Sequence, residues 1–260
     1  MQQSSRVDYD AIAELYDSQP HREKSADPEL VAFLGERGSS DRLSLLDIAC
    51  GTGSQLIANR VIAPDAWMVG LDGSLGMLRQ ARRKAPDIAW VYAVGGALPF
   101  RRGIFDFVSC QYAFHHFRDK TGMLRDGFRA LRAGGRLTIH NLCPHDCEDW
   151  LYYLYFPEAL GRDLADFWPP EPIVREMEAT GFTNVATERR HLRFEHDLSA
   201  LLEAVRRRDT NSQLMAISDV SYAAGLRSIE RELAKPSAPR AHPDHLCFVT
   251  VSGDKPARVG

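Results

Sequence analysis

The chain contains no apolar run approaching the ~18 residues of a membrane-spanning helix, so no membrane segment is expected. Its opening, MQQSSRVDYD, lacks a positively charged lead followed by an apolar stretch, so no secretory leader is read there. Cysteine is scarce: Cys50, Cys110, Cys143, Cys147 and Cys247 are five in 260 residues. An odd, scattered set fits reduced intracellular thiols, not a disulfide framework, and makes the cytoplasm the expected location. Positive charge is not in excess: 32 Lys and Arg against 35 Asp and Glu leave a formal net charge of -3. A general nucleic-acid binder usually carries a strong basic excess, so nucleic acid is not the expected partner. No internal repeat or low-complexity tract is present. The hydrophobic share, 44%, is ordinary for a globular protein and too high for a disordered one.

What is present is an alternation of strand and helix signals. Residues 1–40 read as a helical cover, with Ile12, Leu15 and Tyr16 on one face, and Gly38 to Asp41 as a loop. Strands are then expected at Leu45 to Ala49, Trp67 to Leu71, Ile88 to Val94, Phe105 to Ser109 and Arg136 to Ile139. Helices fall between them, the last ended by Gly134-Gly135. Such spacing implies a parallel sheet covered by helices on both faces. Beyond His140 come an aromatic segment over 143–172, a sixth strand at Phe182 to Thr187, a helical insertion over 195–243 and a final strand at Leu246 to Val251. We read the whole as one domain, with 41–142 as its ligand-binding core.

The strongest local signal is Asp47-Ile48-Ala49-Cys50-Gly51-Thr52-Gly53, a carboxylate near a strand end followed by a glycine turn. Glycines there let backbone approach a ligand closely. A dinucleotide fingerprint needs a third glycine where this chain has Leu56, and the Gly-Lys-Ser/Thr of a phosphate loop is missing. Asp47 would repel phosphate but suits a cation. Asp72, at the end of the second strand, suits ribose hydroxyls. These features together describe a nucleoside without a pyrophosphate and with a positively charged end.

The segments LLDIACGTGSQL, VGLDGSLGML, ALPFRRGIFDFVSCQYAFHHF and RALRAGGRLTI, in this order, resemble the consecutive motifs of class I S-adenosylmethionine-dependent methyltransferases. The branch is the small-molecule one, similar to the ubiquinone and menaquinone methyltransferases. The resemblance implies a Rossmann-like α/β fold: a seven-stranded, mostly parallel sheet whose last strand is antiparallel. It implies S-adenosylmethionine as cofactor and methyl transfer, by in-line displacement, to an O, N or C atom of a small, largely apolar metabolite. It also implies site residues. Asp47, Ala49, Cys50, Gly51 and Gly53 would line the cofactor's amino-acid end, with Gln111 at its methionine part. Asp72 would bind the ribose, with Gly73 and Met77 beside the adenine. The chain departs from the pattern at Ala49, where the first glycine usually stands, and at Val94-Gly95-Gly96, where members often carry an acid. Backbone groups around Gly96 and Ala97 would then meet the adenine amino group. Tyr16 would face the sulfonium through its ring, and Arg22 is a candidate for the cofactor carboxylate, against a solvated surface arginine.

His115 and His116 follow the fourth strand and are candidates for a base or a substrate contact. The competing reading is a structural pair. His140 and Asn141 are a second candidate pair. The seven aromatics Trp150, Tyr152, Tyr153, Tyr155, Phe156, Phe167 and Trp168 read equally as a lid over an apolar acceptor or as packing, including a homodimer seam. His140, Cys143, His145, Asp146 and Cys147 have no usual zinc spacing, so no metal is expected. Arg206-Arg207-Arg208 interleaves with acids and reads as a solvated face. Three alternatives stand beside the methyltransferase: a cofactor-binding relative that regulates or rearranges without methylating, an RNA methyltransferase, and a nicotinamide dehydrogenase.

Overall fold

The computed structural model describes residues 7–18, 23–37, 42–93, 98–235, 239 and 241–257. Two short pieces open the chain: α1 (Tyr9–Ile12) with a 3₁₀ turn at Tyr16–Ser18, then α2 (Pro28–Arg37). The alternating half runs β1 (Ser44–Ile48), α3 (Ser54–Asn59), β2 (Trp67–Asp72), α4 (Leu75–Lys84), β3 (Ala89–Tyr92), β4 (Phe105–Gln111), a 3₁₀ turn at Phe114–His116, α5 (Lys120–Ala130) and β5 (Leu131–Leu142). Then come α6 (Leu151–Tyr155), α7 (Pro157–Asp166), α8 (Pro170–Thr180), β6 (Thr183–Asp197), α9 (Leu198–Arg206), α10 (Ser212–Ala216), α11 (Asp219–Leu233) and β7 (Ala241–Asp254).

The seven strands form one sheet in the order β3-β2-β1-β4-β5-β7-β6. The first five are parallel, and β7 runs against both β5 and β6. Every residue of β1 is buried, as a central parallel strand covered on both faces requires. Side chains alternate across it. Leu45, with Phe107 of β4, joins a core under α2, α3 and α4 that contains Phe33, Leu56 and Leu78. Leu46, Ile48 and Val108 join a second, larger core with Leu124, Ile173, Met177 and the C-terminal elements.

Four local expectations are corrected. The helix before β5 ends at Ala130, not at Gly134-Gly135. Leu131 already has extended backbone, and Gly135 lies so close to Asp106 that a Cβ would sit 2.8 Å from its carbonyl oxygen. The glycines thus serve strand pairing. The sixth and last strands are far longer than expected, because β6 and β7 continue as a two-stranded ribbon. Strand therefore takes 195–197 and 241–243, positions expected inside the helical insertion. Leu15, placed on the apolar face of an N-terminal helix, is 51% exposed because that helix stops at Ile12. The expected loop at Gly38 to Asp41 lies outside the described residues.

Candidate functional site

The chain direction across the sheet reverses between β1 and β4, and open α/β sheets bind ligands at the carboxyl ends of strands at such a point. There the backbone from β1 to α3 passes through three left-handed residues: Ala49 (φ 57°), Gly51 (φ 54°) and Gly53 (φ 77°). For Ala49 this is a strained conformation, of the kind that collects at functional sites. A Cβ on Gly51 would meet nothing within 4 Å, so its backbone faces open space. A Cβ on Gly53 would enter the ring of Trp90, whose indole Nε1 donates to the Ala85 carbonyl at 2.8 Å. Cys50 is buried beside this turn, and burial pushes its thiol pKa up.

Three carboxylates converge on this turn. Asp47 is 2% exposed; its Oδ1 accepts from the Ser109 hydroxyl of β4 at 2.8 Å. Burial, only partly opposed by that bond, pushes its pKa up to about 7. Asp72, ending β2, accepts from the Gly51 amide on Oδ2 and the Ser74 amide on Oδ1, both at 2.8 Å. Its pKa is also raised, by burial. An ionised carboxylate offers about four acceptor positions, so capacity is left over. Asp27 is the third acid, and sequence reasoning missed it. Its Oδ2 accepts from Gln111 Nε2 at 2.8 Å, which ties the N-terminal segment to the end of β4. Asp27 sits just before Pro28, and its Oδ1 accepts from the Glu29 amide at 2.9 Å. It therefore looks in the sequence like an ordinary helix start. Lys24 was missed as well; its charge acts on Asp27 and Asp47, and its Nζ lies 4.3 Å from the Tyr112 ring centroid.

A second cluster adjoins the end of β4. The His115 ring stacks on Phe167, with centroids 3.8 Å apart, and lies 3.9 Å from the His116 ring. His115 Nδ1 is 3.3 Å from Asn141 Nδ2, and His116 Nε2 is 2.9 Å from the Tyr9 hydroxyl. Burial is the main cause that pushes both imidazoles down, His116 to about 4, so both are neutral at neutral pH. The Tyr9 ring contacts Tyr16 edge-on at 6.4 Å, which brings the N-terminal tyrosines to this cluster. The expected pair His140 and Asn141 is split, as neighbours on a strand point to opposite faces. Asn141 meets His115, whereas His140 bonds Thr250 at 2.8 Å and Tyr112 at 3.0 Å.

Of the remaining expected residues, Gly73 connects β2 to α4, and Met77 is buried in the first turn of α4, where its amide donates to Ser74 Oγ at 3.1 Å. Arg22, Val94, Gly95, Gly96 and Ala97 lie outside the described residues. Most of the aromatic segment is packing: Tyr153, Tyr155 and Phe156 are buried within the chain, and Phe156 stacks on Tyr222. Phe167 alone of these rings stacks on a candidate histidine. Among the described residues no group of three or more His, Cys, Asp and Glu is arranged to hold a metal ion. Cys143 donates to Asp146 at 3.2 Å, and His145 bonds the Phe167 carbonyl. Arg206 pairs with Glu203 and Glu230, and Arg208 with Asp219. Among the described residues no helix is long and apolar enough to cross a membrane.

The donor set fits S-adenosylmethionine. A buried carboxylate next to an open glycine turn suits an ammonium group, and a second carboxylate at the end of β2 has acceptor capacity for hydroxyls. Phosphate would meet three acids there.

A methyltransferase domain family matches residues 45–135. The chain is 35% identical over 162 residues to a demethylmenaquinone methyltransferase of Thermus thermophilus, covering 54% of this chain and 74% of that protein. It is 32% identical to one from Deinococcus radiodurans, covering 53% and 67%. Among solved structures, a Haemonchus contortus phosphoethanolamine N-methyltransferase in complex with S-adenosyl-L-methionine superimposes with a TM-score of 0.58 at 19% identity, covering 95% of this chain and 57% of that one. With the fold, the ordered motifs and these relatives in agreement, the chain belongs to the class I S-adenosylmethionine-dependent methyltransferases of the ubiquinone and menaquinone type, and is an enzyme that uses S-adenosylmethionine.

Proposed function

We propose that the enzyme transfers a methyl group by in-line displacement to a hydroxyl-bearing aromatic ring of the quinol type, at a ring carbon or oxygen. The observation that carries this reading is the adjacency of two chemically distinct clusters, one acidic around Asp47, Asp72 and Asp27, one neutral and aromatic around His115, His116, Tyr9 and Phe167. The similarity to demethylmenaquinone methyltransferases supports the substrate class.

In this reading S-adenosylmethionine supplies an electrophilic methyl group when bound. Asp47 and Asp27 hold its ammonium, Asp72 its ribose, and the Gly51–Gly53 backbone leaves room for both. Met77 and Gly73 form the adenine side. Gln111 is anchored by Asp27 at the methionine part, and Tyr16 lies toward the sulfonium. The aromatic cluster excludes water and holds the acceptor ring against the Phe167 side. Fixing nucleophile and methyl in line can supply several kcal/mol of the barrier, on the order of the ~7–11 kcal/mol of well-oriented reactions. A neutral imidazole is already in the form that takes a proton. Methylation would form a bond from the ring oxygen or carbon to the methyl carbon and break the methyl–sulfur bond, the sulfur leaving as a neutral thioether; the proton lost, from the hydroxyl in O-methylation or in the end from the methylated carbon in C-methylation, would form an N–H bond on His115 or His116. Burial disfavours the resulting imidazolium, so the imidazole returns to its neutral form by releasing the proton to water.

The test is incubation of the full chain with S-adenosylmethionine and reduced 1,4-dihydroxynaphthalene, following S-adenosylhomocysteine and a one-methyl mass gain in the ring. Formation of both supports the reading. Measurable cofactor binding without either product, across a panel of hydroxyl-bearing rings, would sink it.

A further inference from the structure

Asn141, the last residue but one of β5, is 4% exposed. Its Nδ2 lies 3.3 Å from His115 Nδ1, yet its buried Oδ1 has no hydrogen-bond partner among the described residues. Buried polar atoms are overwhelmingly paired, and an orphan needs a reason. An asparagine whose sole task was to orient His115 would use Nδ2 and gain nothing from an acceptor sealed away from water. The orphan also has an address. His115 is held face to face by Phe167 at 3.8 Å and touches His116, which bonds Tyr9. Oδ1 thus belongs to the same aromatic cluster that adjoins the cofactor turn. A carboxamide oxygen accepts hydrogen bonds, does not titrate near neutrality, and donates nothing. What satisfies it is a neutral donor delivered by a ligand.

We propose that Asn141 is the specificity-determining residue of the acceptor pocket: its Oδ1 accepts a hydrogen bond from a hydroxyl of the substrate ring, while its Nδ2 keeps the amide aligned on His115. This rests on the quinol-type reading above. A ring bearing a donor satisfies the site; a ring of the same shape without one leaves the acceptor unpaired, the condition under which enzymes discriminate most strongly. The sequence offers Asn141 as a candidate only with His140; its place beside His115 comes from the alternation of side chains along β5.

The experiment is a residue–ligand cycle on the full chain saturated with S-adenosylhomocysteine. Dissociation constants are measured anaerobically for 1,4-dihydroxynaphthalene and for 1,4-difluoronaphthalene, which keeps the shape and lacks the donors. The unsubstituted-chain protein is expected to prefer the diol about tenfold or more, and Asn141→Leu to lower that preference to about twofold or less. Asn141→Asp, which keeps an accepting oxygen, is expected to stay within about threefold of the original preference. Unchanged S-adenosylhomocysteine binding certifies each fold; should Asn141→Leu lose it, Asn141→Ala replaces it with the same expected ratio. A Leu or Ala variant that keeps the tenfold preference overturns the proposal alone. A native protein that binds S-adenosylhomocysteine but neither naphthalene overturns the quinol-type reading and, with it, this proposal.

Discussion

Asp47 is held where an uncharged carboxyl is comfortable and a charged one is not. Its folded pKa is raised from 3.8 to about 7. Between those values the folded state binds the proton that the unfolded state has lost. The contribution to stability is therefore fully present below about pH 4 and is lost as pH rises through about 7. Asp47→Asn is expected to stabilise the ligand-free protein relative to wild type by on the order of 1–3 kcal/mol more at pH 8 than at pH 5. Urea melts at the two pH values measure this; equal differences would refute it. The same variant is expected to weaken S-adenosylhomocysteine binding at least about tenfold, since an opposite charge stabilises the ionised carboxylate. A second contrast concerns the turn. Gly53→Ala places a side chain at φ 77° against Trp90, and is expected to destabilise by about 2–4 kcal/mol. Ala49→Gly relieves a left-handed alanine and is expected to be neutral or stabilising by up to about 1 kcal/mol in thermal melts. For the histidines, pKa values pushed down by burial, His116 to about 4, predict no inflection from imidazole between pH 5.5 and 8 in the rate with a saturating acceptor. An inflection near 6.5 that disappears in His116→Gln would contradict it.

At the scale of elements, the N-terminal segment is tied to the sheet's helices by its acids. Asp10 of α1 accepts from Ser74 Oγ at 3.0 Å and from the Gly76 amide, at the N-terminal turn of α4, where the helix dipole favours negative charge. Asp17 accepts from Thr52 at 2.6 Å and pairs with Lys84 at 2.6 Å. α1 has only four residues and buries none of them, so polar contacts such as that of Asp10, with the Tyr9–His116 bond, hold it in place. Asp10→Ala is expected to raise amide exchange across residues 9–18 and to speed cofactor release about tenfold or more, with S-adenosylhomocysteine dissociation followed by stopped flow. Unaltered exchange and release would show that the segment is held otherwise. The elements also show what a sequence can and cannot disclose. β1, β2 and β4 are legible because their buried apolar runs end in glycine or acidic turns. β6 is legible only at its start, up to Thr187: nearly every residue of Thr183–Asp197 is exposed at the sheet edge, and Glu188, Arg189 and Arg190 carry no alternation. Its pairing with β7 is a tertiary fact. Likewise Asp47 and Asp72 announce themselves by position in a motif, whereas Asp27 and Phe167 reach the site from distant segments through the fold alone.

At the scale of the molecule, all five cysteines are free and buried. Burial raises the pKa of each thiol, which lowers the reactive thiolate fraction. A thiol-reactive dye is expected to label the native protein slowly and to count five thiols in denaturant; a rapidly labelled thiol in the native protein would contradict this burial. The legible portion, from Leu45 to Ile139, nearly coincides with residues 45–135 matched by the methyltransferase domain family; the rest depends on contacts between elements far apart in sequence.

The sheet divides the interior into two cores, and strands such as β1 serve both: Leu45 faces one and Leu46 the other. Phe33, Leu56 and Trp90 lie in the core under α2, α3 and α4; Phe167, Ile173 and residues of α9, α10 and α11 lie in the other. Substitutions on opposite sides of a rigid partition should act additively. Repacking on one side of the sheet can therefore proceed one residue at a time while the packing on the other side keeps its own energy.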